Sequence, residues 1–218
     1  FTKSKRKPLI TNATTINRNA FSGCANITNI SLPESIVSIG EGAFSGCTSL
    51  IDITIDDENK NFVSLDGVLF NKQKTELICY PLGKGKIETS YDIPSGVTNL
   101  APYTFKNCTN LQKVTFVGIV DTIPMLSFDG CSKLKEINLP EGFQSIEANA
   151  FRSCKELNSI TIPSSVNNIN SAAFSNCYFL YFMRKCHCAI IACQIWFVRT
   201  LCYPASERNG YSILKYKL

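Results

Sequence analysis

The sequence predicts a solenoid of stacked coils, and three observations carry that prediction: a recurring phenylalanine, a cysteine at a fixed offset from it, and apolar positions phased to the cysteine. Phe21, Phe44, Phe105, Phe128, Phe151 and Phe174 are each followed three residues later by Cys24, Cys47, Cys108, Cys131, Cys154 and Cys177. The interval is 23 residues from Phe21 to Phe44 and again from Phe105 through Phe128 and Phe151 to Phe174. A fixed period in this range marks a stacked array. Each coil then touches mainly its neighbours, and the product is an elongated surface rather than a closed pocket.

The first strand of each coil is set by apolar residues three, six and eight places after the cysteine: Ile27, Ile30, Leu32; Leu50, Ile53, Ile55; Leu111, Val114, Phe116; Leu134, Ile137, Leu139; Leu157, Ile160, Ile162. The last two of each set alternate with a polar residue, which is the period of a strand. Pro33, Pro140 and Pro163 follow directly and suit the place where a strand stops, because proline has no N–H to give to a ladder. A second apolar pair comes at twelve and fifteen places: Ile36 and Ile39, Val120 and Ile123, Phe143 and Ile146, Val166 and Ile169. One coil alone buries too little area, whereas equivalent positions stacked about 4.8 Å apart build continuous apolar ladders. The phenylalanines are expected to stack as the thickest of these.

The stretch AFRSCKELNSITIPSSVNNINSAAFSNC, from Ala150 to Cys177, resembles the 23-residue unit of the BspA-like leucine-rich repeats found in surface proteins of some bacteria and parasitic protists. ISLPESIVSIGEGAFSGC is similar to it again, and the likeness covers about residues 9–180. The resemblance implies a leucine-rich-repeat solenoid, an open curved array with a parallel β-sheet on one face and short strands or helical turns on the other. It also implies adhesion or protein binding at a cell surface or after secretion, with a host-cell or extracellular-matrix protein as partner.

Between Phe44 and Phe105 the period breaks, but the phase returns at Ile93, Pro94, Val97 and Leu100 as if a cysteine stood at Gly85. Within the extra residues, Val68 to Phe70 and Leu77 to Tyr80 read as strands around the polar turn Asn71 to Thr75. SLDGVLFNKQKTELICYPLGK is similar to an insertion common in the resembled family. The expected organisation is therefore a solenoid over 1–180, with a hairpin at about 56–92 extending from the stack, and a separate tail over 181–218.

The 218 residues are 44% hydrophobic and carry a net charge of +5. Arg184, Lys185, Arg199, Arg208, Lys215 and Lys217 against Glu207 account for all of that charge, so the repeats are formally neutral and offer no electrostatic case for nucleic acid. The chain opens with Phe and a partial coil aligned through Leu9, Ala13, Ile16 and Phe21, and is expected to be a piece of a longer protein. Asn12, Asn26, Asn29 and Asn107 head glycosylation acceptor triplets usable in a secretory compartment.

Six of eleven cysteines belong to the repeat. Neighbouring thiols one coil apart point in parallel toward the core, which disfavours a disulfide; they are expected to act as small buried hydrophobes. In the tail, Cys186, His187, Cys188, Cys193 and Cys202 lack the spacing of opposed chelating pairs. The charge-free run 186–198 is too short to span a membrane, though a shallower contact is left open. The favoured reading is an aberrant cysteine-rich basic tail outside the repeat, with no metal and no cofactor.

An enzyme needs paired carboxylates or a base and a cation converging in a groove, as polysaccharide-cutting β-solenoids have. The outward strand positions, five and seven after each cysteine, are Asn29 and Ser31, Asp52 and Thr54, Lys113 and Thr115, Glu136 and Asn138, Ser159 and Thr161. Asp52 and Glu136 lie at least two coils apart, over about 10 Å at strand spacing, and the single His187 sits in the tail. Catalysis is therefore not expected. The same ten residues form the candidate binding face, two columns of hydroxyl and amide groups with an occasional charge. The alternative is a purely structural spacer within a larger surface protein.

Overall fold

A computed structural model of the chain describes residues 12–177 and 181–184. The chain opens with β1 (Thr15–Ile16), β2 (Asn29–Leu32), β3 (Ser38–Ile39) and β4 (Asp52–Ile55), followed by β5 (Phe62–Leu65), β6 (Val68–Asn71) and β7 (Glu76–Cys79). Next come β8 (Ser90–Ile93), β9 (Asn99–Leu100), β10 (Lys113–Phe116) and β11 (Thr122–Ile123). The array closes with β12 (Glu136–Asn138), β13 (Ser145–Ile146), β14 (Ser159–Ile162), β15 (Asn168–Ile169) and β16 (Tyr181–Arg184). The single helical element among the described residues is one 3-10 turn, Lys84–Lys86. The solenoid expected from the repeat, and the leucine-rich-repeat class implied by the resemblance, are thus the observed fold, with about seven turns.

Each regular coil contributes one longer strand to a first face and a two-residue strand to a second. Parallel pairing follows the 23-residue period: Lys113 stands opposite Glu136, Thr122 opposite Ser145, Asn138 opposite Thr161 and Glu76 opposite Asn99. In β2 and β10 the second and fourth residues are buried while the first is exposed, the two-residue alternation a half-buried sheet requires.

Phe105, Phe128, Phe151 and Phe174 stack with centroids 5.0, 5.2 and 5.2 Å apart and planes within 6°. Phe21 and Phe44 stack at 5.6 Å. Each such buried ring contributes about 1.5 to 3 kcal/mol. The thiols are free, and they do more than fill space. The S–H groups of Cys47, Cys131, Cys154 and Cys177 donate to the carbonyls of Phe21, Phe105, Phe128 and Phe151 at 3.0 to 3.1 Å. Each of these thiols therefore adds a bond between coils to a carbonyl that already accepts from the cysteine N–H of its own coil, a second bond that an aliphatic side chain could not make.

The insertion is placed differently from a hairpin leaning off the stack. β6 pairs antiparallel with β5 and with β7, and β7 is also the second-face strand of its own coil, pairing parallel with β9. The extra strands thus lie between two halves of the array. Leu69 and Phe62 join the apolar core of the first half, while Val68, Phe70 and Leu77 join the core that continues to Cys177. Asn59 is fully buried beside this junction. Its amide donates to the carbonyls of Pro33, Glu34 and Ile36, and its oxygen accepts from the N–H groups of Asn61 and Phe62.

At the other end β16 adds to β14, with Tyr181 opposite Ser159 and Arg184 opposite Ile162, one residue short of the regular interval. The rest of the proposed tail, including Cys186, His187, Cys188, Cys193, Cys202 and the run 186–198, lies outside the described residues.

Candidate functional site

The ten candidate positions all fall on first-face strands, but they do not form one pair of columns. Asn29 and Ser31 on β2 stand opposite Asp52 and Thr54 on β4 in a two-stranded sheet. Lys113, Thr115, Glu136, Asn138, Ser159 and Thr161 belong to a separate five-stranded sheet, β16-β14-β12-β10-β8. The insertion causes the break. The Ile53 N–H donates to Gly67 O at 3.1 Å, Ser64 Oγ donates to Ile53 O, and Gly67 lies against Asp52. The free edge of β4, where another first-face strand would pair, is occupied by the insertion instead.

The larger sheet holds two residues missing from the sequence-based set. Ser90 stands opposite Lys113 and Asp92 opposite Thr115, both exposed on β8. They obey the same offsets once Gly85 is taken as the phase marker, so the signal was present without its cysteine. Gly85 occupies that slot because a Cβ there would collide with the Cys108 side chain. One column therefore runs Ser90, Lys113, Glu136, and the other runs Asp92, Thr115, Asn138, Thr161, with neighbours about 4.8 Å apart along the sheet. Ser159 pairs with Tyr181 through the backbone.

The electrostatics of this face are mild. Lys113 Nζ lies 3.2 Å from Glu136 Oε1, both side chains about half exposed, and Asn138 Nδ2 donates to the same oxygen at 3.4 Å. Lys135 and Glu156 pair alongside at 3.7 Å. Such exposed pairs contribute about 0 to 1 kcal/mol and leave the face readable by hydroxyl, amide and charge. At the near end, Lys84 bridges Asp66 at 2.9 Å and Glu88 at 3.0 Å, and the Tyr80 hydroxyl donates to Glu88. Burial, reinforced by that carboxylate, pushes the Tyr80 phenol well above its ordinary range.

Asp52 and Glu136 stand in different sheets, so the two candidate carboxylates are not brought together. Among the described residues no group of three or more His, Cys, Asp or Glu side chains is placed to hold a metal ion. Nor is any helix among them long and apolar enough to cross a membrane.

The repeat agrees with a known family model, described as the BspA type leucine rich repeat region, which matches six copies over residues 7–91 and 83–192. The structure is similar to the crystal structure of the pneumococcal vaccine antigen PcpA, with a TM-score of 0.71 and 32% identity over 77% of this chain and 42% of that one. It is also similar to a leucine rich cell surface protein of Faecalibacterium prausnitzii A2-165, with a TM-score of 0.63 and 32% identity over 78% of this chain and 50% of that one. The chain thus spans half or less of the length of these two structures. No curated protein matches it significantly. The phased coils, the stacked aromatic ladder and the extent of the family match lead to one assignment: this chain belongs to the BspA-type leucine-rich repeat family.

Proposed function

We propose that the chain is a non-catalytic binding module of a cell-surface or secreted protein, and that it contacts a host-cell or extracellular-matrix protein through its five-stranded face. The observation that carries this reading is the outward grid of Ser90, Lys113, Glu136, Asp92, Thr115, Asn138 and Thr161 on a continuous sheet. Broad, polar and weakly charged, it suits contact spread over many residues, and its small side chains lose little conformational entropy when held. The surface placement draws support from the neighbour described as a cell surface protein, and the neutral repeat region gives no reason to expect nucleic acid.

The immobilised chain, incubated with host-cell and matrix extracts, should retain a partner that the double variant Thr115→Arg, Asn138→Arg does not. Both substitutions sit on the outward side of the strands, where stability changes are usually within about 0.5 kcal/mol. Loss of capture with unchanged unfolding places contact on the face; equal capture by both proteins sends it elsewhere. A spacer role is the second reading. It is favoured by the Lys113–Glu136 pair, which satisfies the central charges of the face internally, and it prevails when the parent chain retains nothing.

A further inference from the structure

In the regular coils the turn that carries the phenylalanine donates every second N–H to the next coil. Asn19, Phe21 and Gly23 donate to Glu41, Ala43 and Ser45 at 3.2, 2.8 and 2.8 Å. Tyr103, Phe105 and Asn107 donate to Met125, Ser127 and Asp129, and Leu126, Phe128 and Gly130 to Ala148, Ala150 and Arg152. The residues between them bond within their own coil, as Ser22 does to Asn19. One side of each turn is therefore a row of three donors. In the turn after β3 the row is Gly42, Phe44 and Gly46, with φ of +64° and +76° at the glycines as at the equivalent positions elsewhere. None of these three N–H groups has an acceptor among the described residues.

The cause is the insertion. Tyr80 stands in for the next ladder phenylalanine, with its ring 5.2 Å from Phe105 and its N–H bonded to Thr104 O at 3.1 Å. No ring contact joins it to Phe44 among the described residues. Among the described residues the backbone bonds between the two turns resume at Leu50, whose carbonyl accepts from Gly83 at 2.7 Å and Lys84 at 3.3 Å. Between them a cleft of about 240 Å³ remains, with the donor row on one wall and Ile78, Tyr80 and Tyr103 on the other. Its charged residues are Glu41, Glu76 and Lys106. Lys106 is engaged, 3.7 Å from Asp129 and over the Tyr103 ring. Glu41 faces Arg18 only at 4.0 Å, and Glu76 has no ion pair among the described residues. Among the described residues the donor row thus lacks acceptors and the two carboxylates lack a close cation, and buried or half-buried donors left without acceptors cost free energy that an incoming acceptor recovers.

We propose that this cleft is a docking site for a short basic peptide segment of a partner protein. The segment sets alternate backbone carbonyls on the N–H groups of Gly42, Phe44 and Gly46, as the following coil does elsewhere in the stack. An apolar side chain lies against Ile78 and Tyr103, and a lysine or arginine reaches Glu41 and Glu76. Main-chain bonding supplies affinity and the two carboxylates select the charge, the division of labour seen when a peptide adds to an open edge. The site is separate from the five-stranded face and stands whether or not that face binds anything.

The test is residue-resolved amide exchange on the whole chain, free and then titrated to millimolar concentration. The titrants are an acetylated, amidated hexapeptide alternating lysine and valine, its glutamate–valine counterpart, and inorganic phosphate. In the free chain Gly42, Phe44 and Gly46 should exchange at least about a hundredfold faster than Phe105, Phe128 and Gly130. The lysine peptide should slow all three by about tenfold or more near saturation. The variant Glu41→Lys, Glu76→Lys should weaken it by about tenfold while Phe128 and Gly130 stay protected, which shows that the fold is kept. The proposal is overturned if the three amides are already as protected as their equivalents, if the glutamate peptide or phosphate protects them instead, or if the lysine peptide leaves their exchange unchanged.

Discussion

Leu69 and Phe70 are consecutive residues of one strand, both fully buried, yet their side chains belong to different cores: Leu69 packs with Ile16 through Ile53, and Phe70 with the ladder from Val68 to Cys177. β6 is therefore a septum rather than an ornament. Each half of the solenoid would otherwise expose an apolar coil end, and the pleat, which sends successive side chains to opposite faces, closes both with one strand. The two substitutions should separate cleanly. Leu69→Ala should cost about 2 to 5 kcal/mol and Phe70→Ala about 3 to 5, read by urea unfolding. Residue-resolved exchange should find Ile30 and Ile53 loosened by the first and Val114 and Phe128 by the second. Equal loosening of both halves by either change would mean a single undivided core.

The thiol column makes stability fall in alkali. Burial pushes the Cys79 thiol up to about 12 from an ordinary value near 9, and likewise raises Cys47, Cys108, Cys131 and Cys154. Below pH 9 folded and unfolded chains both hold these protons, so the contribution is complete. Above it the unfolded chain releases them first, and each thiol removes about 1.4 kcal/mol per pH unit until its folded value is reached. The unfolding free energy should thus drop steeply from pH 9 to 10.5, and a Cys108→Ala, Cys131→Ala, Cys154→Ala variant should show a shallower slope at a lower plateau. A parent profile flat across that window would show that the thiols ionise in the folded chain.

Backbone conformation yields a prediction of opposite sign at two equivalent sites. The residue before each repeat cysteine is left-handed: Gly23, Gly46 and Gly130 at φ near +76°, Asn107 and Asn176 near +61°, and Ser153 at +61°. Serine there carries a strain of about 1 to 2 kcal/mol that glycine avoids, offset by the extra freedom glycine has when unfolded, about 0.5 to 1. Ser153→Gly should therefore gain about 0.5 kcal/mol and raise Tm by roughly 1 to 2 °C. Gly130→Ser should lose stability, because its Cβ would run into Asn107 Oδ1. Thermal melts of both variants decide the matter; a lower Tm for Ser153→Gly would contradict the argument.

Residues repeated in every coil were readable directly from the sequence, because stacking demands the same side chain at the same phase: the Phe21 and Phe174 ladder ends and the strand alternation follow from that demand, while the turn Asn71 to Thr75 was readable from its own polar residues between two apolar runs. What escaped depends on relations between coils that no single coil encodes. Val68, Leu69 and Phe70 are three apolar residues in a row, and a run without alternation does not say that two cores share it. The division of the strand face follows from the hairpin lying between coils instead of on their edge, a choice of placement that the residues 56–71 leave open. Ser90 and Asp92 were hidden by the glycine at 85. Lys106, Asp129 and Arg152 share one phase, two residues before the cysteine, but their unlike charges do not register as a repeat.

Those three side chains form a staple across successive coils. Asp129, 5% exposed, accepts from Arg152 Nε and a terminal guanidinium nitrogen at 2.8 Å each, with Lys106 Nζ 3.7 Å away. The fork geometry holds both carboxylate oxygens, and Asp129 in turn lifts the Arg152 guanidinium further above its ordinary range. Removing the acid leaves two partly exposed cations that can turn to water, so Asp129→Ala should cost about 1 kcal/mol. Arg152→Ala should cost more, about 3 kcal/mol, because it leaves the buried carboxylate with Lys106 alone at 3.7 Å. Arg152→Lys should recover little of that loss, since an ammonium cannot make the paired contact. Urea unfolding of the two single variants and the Asp129→Ala, Arg152→Ala double variant measures the coupling directly; strictly additive losses would reduce the staple to three independent surface charges.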